Sequence, residues 1–64
     1  MASYERDVKI KLSQNGCYFL RHGRGDHDVW FSPVTGLSIT VDNKIVSRHT
    51  ANGIMKRAGI TWHF

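Results

Sequence analysis

The 64 residues allow one domain, and a domain this short buries only roughly 60% of the surface its unfolded chain exposes. A single cysteine, Cys17, excludes an internal disulfide and fits a reducing cytoplasm, and no apolar run approaches the roughly 20 residues that span a bilayer. Nine Lys and Arg against five Asp and Glu give a net charge of +4, a balance with a mild preference for polyanions, because each neutralised phosphate releases counterions.

The opening Met-Ala-Ser-Tyr-Glu-Arg-Asp lacks the apolar core of a signal peptide. Residues 4–15 carry two patterns. Val8, Ile10 and Leu12 alternate with lysines as in a half-buried strand, whereas Tyr4, Val8 and Leu12 are four apart as on a helix stripe. End signals favour the helix: Ser3 as a cap, Glu5 and Asp7 in the first turn, and Gly16 just past the end. Ile10 falls off that stripe. Three strands follow at 17–22, 27–32 and 37–41, joined by short glycine-containing loops that suit antiparallel hairpins. Pro33 sits in the second loop, where its missing N–H does no harm.

A final helix begins at Ser47 or Thr50, presents Ile54, Met55 and Ala58 as its apolar side, and ends at Gly59 with Ile60 as the hydrophobic contact of a Schellman motif. Gly53, inside this helix, is expected to mark close packing against the sheet. Trp62 and Phe64 are large apolar groups for a tail, placed either over the sheet edge or against a partner. The order α-β-β-β-α predicts an α+β sandwich with two helices on one face of a three-stranded antiparallel sheet, the layout of a double-stranded RNA-binding domain. So thin a core predicts added support from a partner or from self-association.

His27 is the leading chemical residue. It follows a glycine-containing turn, opens a strand, and stands in sequence between Asp26 and Asp28, whose charges would favour an imidazolium. A histidine of this kind can move a proton, although a hairpin-edge histidine without a role is the commoner case. Cys17, His22 and His27 have Cys-x4-His-x4-His spacing, which matches no zinc pattern, and no cofactor is expected. Arg21, Arg24, Lys44, Arg48, Lys56 and Arg57 could meet phosphates. For Lys56 and Arg57 the alternative is a simple complement to the helix dipole. Tyr18 and Trp30 could stack on bases or pack in the core. Cys17 has no basic setting to activate it as a nucleophile, and no serine sits in a Gly-x-Ser-x-Gly elbow.

The strings Asn15-Gly16-Cys17-Tyr18-Phe19-Leu20-Arg21 and Gly23-Arg24-Gly25-Asp26-His27-Asp28-Val29-Trp30, with the ending Ser47 to Ile60, resemble the HicA toxins of bacterial toxin–antitoxin pairs. The resemblance spans roughly residues 5–61. It implies a metal-independent endoribonuclease that cleaves mRNA, works in the cytoplasm, and is inhibited by a HicB-type antitoxin in a hetero-oligomer. By position the family's catalytic histidine matches His27 and the glycine before it matches Gly25. Asp26 stands where a serine or threonine is more usual in the family. Arg24, Lys44 and Arg48, with Gly25, are the substrate-binding residues of this reading, and His22 or His49 the candidates for a second proton carrier. A non-catalytic double-stranded RNA-binding module of the same fold is the alternative.

Overall fold

In a computed structural model that describes residues 3–64, the chain forms α1 (Glu5–Gln14), β1 (Tyr18–His22), β2 (His27–Ser32), β3 (Leu37–Asp42) and α2 (Arg48–Ala58). The three strands make one antiparallel sheet in the order β1-β2-β3. This is the α-β-β-β-α, α+β layout expected from the sequence. The core lies between the helices and one sheet face. Val8 and Leu12 from α1 and Ala51, Ile54, Met55 and Ala58 from α2 cluster with Trp30, Ile39 and Val41. No helix among the described residues is long and apolar enough to cross a membrane.

Both helices close as the glycines predict. In α1, Gly16 (φ 84°) lets Cys17 N–H donate to Leu12 C=O at 2.9 Å and Gly16 N–H to Ser13 C=O at 3.1 Å. In α2, Gly59 (φ 76°) lets Ile60 N–H donate to Met55 C=O at 2.9 Å. These are Schellman endings, and they satisfy carbonyls that a bare helix end leaves orphaned. A second anchor fixes α2 to the sheet: buried Ser32 donates its Oγ hydrogen to Ala58 C=O at 2.7 Å.

The helix starts differ from expectation. Tyr4, not Ser3, is the N-cap of α1, and it makes no side-chain cap bond; its N–H donates to Ile45 C=O at 2.7 Å. Ser3 Oγ instead lies 3.4 Å from both Glu5 Oε1 and Ile45 O. Ser47 caps α2 by position but without a side-chain bond. Tertiary contact with the chain before α2 thus replaces local capping in α1. Ile10 is exposed, as its place off the stripe implies.

Cys17 is buried and precedes β1 rather than opening it. A bulge between Phe19 and Arg21 sets Leu20 out of the β1–β2 register. Gly53 does not pack closely: a Cβ there would meet nothing within 4 Å. The tail lies over the helices and not along a sheet edge. Phe64 N–H donates to Asn52 Oδ1 at 2.7 Å, its ring meets Tyr4 edge-on at 5.6 Å, and Lys11 Nζ sits 3.8 Å above the Trp62 ring.

Candidate active site

The turn before His27 is built by glycine. Gly23 N–H donates to His27 C=O at 2.7 Å, closing the β1–β2 hairpin, and His27 N–H reaches Arg24 C=O at 3.3 Å. Gly25 holds φ 62° while Asp26 stays at negative φ. Glycine adopts this left-handed φ without the steric cost that a side chain brings. The Asp26 carbonyl then accepts the Asn43 N–H at 2.8 Å, which ties this turn to the end of β3.

That tie brings His27 opposite Asp42 in the β2–β3 ladder. Their side chains meet, with His27 Nδ1 2.5 Å from Asp42 Oδ1. The contact turns the Nδ1 edge of the ring toward the carboxylate and leaves Nε2 on the ring's other side, away from Asp42. The pair is partly open, with side-chain exposures of 48% and 40%, so a ligand can reach it.

The carboxylates next to His27 in sequence act elsewhere. Successive strand residues point to opposite faces, so Asp28 turns inward with Trp30 and Ser32 while His27 turns outward. Asp28 is buried and accepts from His22 Nδ1 at 3.0 Å, with Lys9 Nζ 3.9 Å away. Asp26 is exposed, and no ion pair forms on it among the described residues. The carboxylate that serves His27 is therefore Asp42, which the sequence reading did not single out. Its signal was available in the hairpin register: a four-residue loop joins Ser32 to Leu37, and pairing back from them sets His27 against Asp42.

The other candidates separate. Cys17, His22 and His27 do not converge: one is buried and the two histidines bond to different carboxylates. His22 is engaged with Asp28, whereas His49 opens onto a cleft of about 290 Å³ that Asp42 also lines. Trp30 is buried in the core and unavailable for stacking, while Tyr18 is exposed and touches Phe31 at 5.5 Å between ring centroids. Arg24, Lys44 and Arg48 are all exposed, on the first hairpin turn, the β3–α2 connection and the first turn of α2. Arg48 faces an unfavourable helix dipole there, with no acidic residue in that turn, a setting that an incoming anion relieves. A more open hollow of about 750 Å³ runs along α1 by Arg6, Lys9 and Ile10 and contains neither member of the His27–Asp42 pair.

No family model, curated protein or solved structure matches the chain.

Proposed function

We propose that the chain is a metal-independent endoribonuclease acting on mRNA, the toxin of a toxin–antitoxin pair of the HicA kind. The observation that carries this reading is the exposed His27 ring in contact with the Asp42 carboxylate across the β2–β3 hairpin. Nε2 accepts the proton of an RNA 2′-hydroxyl while that oxygen attacks the adjacent phosphorus. The O2′–P bond forms and the P–O5′ bond breaks. His49 returns a proton to the departing 5′-oxygen, which leaves a 2′,3′-cyclic phosphate and a 5′-hydroxyl. Arg24, Lys44 and Arg48 offset the charge that develops on the phosphate, and Gly25 keeps the turn open to the strand.

A protein antitoxin belongs to the same reading. The surface for it is the edge strand β1, where Tyr18, Phe19 and Leu20 are all exposed and, among the described residues, the ladder has a partner on one side only.

The test is incubation of the purified protein with labelled single-stranded RNA in chelator, with product ends identified by chromatography. Cleavage to cyclic-phosphate ends that falls about 10²- to 10⁴-fold in His27→Ala is the expected result. Equal cleavage in His27→Ala overturns the assignment. Binding without any cleavage by the native chain leaves the non-catalytic RNA-binding module.

A further inference from the structure

We infer that the cleft between β3 and α2 is a subsite for one nucleotide of the RNA strand, next to the bond that is cut. The inference rests on the ribonuclease reading for its ligand class, and on separate observations for its place. The cleft is lined by Thr40, Asp42, His49, Thr50, Gly53 and Arg57, with Ile54 at its apolar base. Asp42 belongs both to this cleft and to the His27 pair, so the cleft adjoins the imidazole through Asp42, although His27 itself does not line it.

The lining groups are unspent. Among the described residues Arg57 makes no ion pair, and the hydroxyls of Thr40 and Thr50 make no side-chain hydrogen bond. Arg57 offers a planar fork that matches a phosphate or a base edge in bidentate fashion. The second oxygen of Asp42 can accept from a ribose hydroxyl or an exocyclic amine. Two hydroxyls and an imidazole supply the remaining polar contacts, and Ile54 an apolar surface for a base. A volume of about 290 Å³ is at the low end for small-ligand clefts and accommodates one nucleotide, not a duplex.

Gly53 is the third observation. Glycine disfavours a helix interior more than any residue except proline, and here no neighbour requires it, since a Cβ would meet nothing within 4 Å. What its bare backbone does is leave the cleft open where a side chain would enter it.

The experiment uses the His27→Ala chain, which cannot cut, titrated with each of the four nucleoside 5′-monophosphates and separately with inorganic phosphate, followed by amide chemical shifts. Saturable shifts centred on Thr40, Thr50, Gly53 and Arg57 with a nucleotide are expected. Gly53→Leu in the same background weakens them at least tenfold while raising the thermal midpoint by about 4 °C, because leucine favours the helix. Arg57→Ala also weakens binding. Shifts that persist unchanged in Gly53→Leu, or that fall outside the cleft, overturn the inference. Equal affinity for phosphate alone reduces the site to an anion hole and overturns the nucleotide assignment. Loss of the subsite leaves RNA cleavage by His27 standing, and a chain that binds nucleotide without cutting RNA removes only the catalytic reading.

Discussion

At the scale of single residues the site turns on which carboxylate serves His27. Asp26 and Asp28 flank it in sequence, yet strand alternation sends Asp28 into the core, where His22 and Lys9 hold it. Asp42, on the neighbouring strand, takes the imidazole instead. Asp42→Asn keeps a polar group of the same size but removes the negative charge that faces His27 Nδ1. The expected outcome is a loss in RNA cleavage rate of about 10²-fold, the scale of a misoriented catalytic group, with an unchanged circular dichroism spectrum. Asp26 works in the opposite direction. Its unpaired charge repels an incoming phosphate, and a unit charge a few ångström away in a water-like medium is worth a factor of roughly two to five. Asp26→Ser should therefore raise the cleavage rate by about that factor at low salt and lose the gain at high salt, measured with the same labelled RNA. A rate that falls in Asp26→Ser instead makes Asp26 a working part of the site.

At the scale of elements, α2 shows how much a glycine's neighbours decide. Gly53 and Gly59 sit six residues apart on one helix and its end. At Gly53 an alanine Cβ meets open space, so Gly53→Ala should raise stability by about 0.5–1 kcal/mol through helix propensity alone. At Gly59 the left-handed φ of 76° opposes a side chain, and an added Cβ would come within 2.8 Å of Val34 Cγ1 and Thr35 Cγ2. Gly59→Ala should cost about 2 kcal/mol or more, from the conformational term and the clash together. Urea unfolding of both variants checks the pair of signs. The sequence announced Gly59 correctly, because a helix ending is a local signal: an apolar run, a glycine, an aliphatic residue. It misplaced Gly53, because a glycine kept for close packing and one facing an open cleft are identical in sequence. Gly16 belongs with Gly59, whereas the start of α1 depends on the Ile45 carbonyl, far away in the chain, and so escaped notice.

Across the whole molecule the same division holds. Element order and strand alternation were legible because they are written in local periodicity. The Asp42 partner, the cleft and the seat of the tail were not, because each depends on residues brought together from different elements. The basic balance gains a direction from this. Of the three cations in α1, Lys9 lies against Asp28 and Asn43, Lys11 covers the Trp62 ring, and Arg6 makes no ion pair among the described residues. Arg24, Lys44, Arg48 and Arg57, like Arg6, Arg21 and Lys56, form no ion pair among the described residues, and three of the first four lie between the end of β3 and the end of α2. If these four meet the phosphates of a single strand, the logarithm of affinity falls against the logarithm of salt with a slope of about −3, at roughly −0.7 per neutralised phosphate. Fluorescence anisotropy of labelled RNA on the His27→Ala chain, across a salt series, measures that slope. Lys44→Ala and Arg48→Ala should each flatten it by about 0.7, and Lys11→Ala should leave it unchanged. A slope that flattens as much in Lys11→Ala as in Lys44→Ala would instead put the RNA on the helical face, beside the Trp62 tail and away from the His27–Asp42 pair.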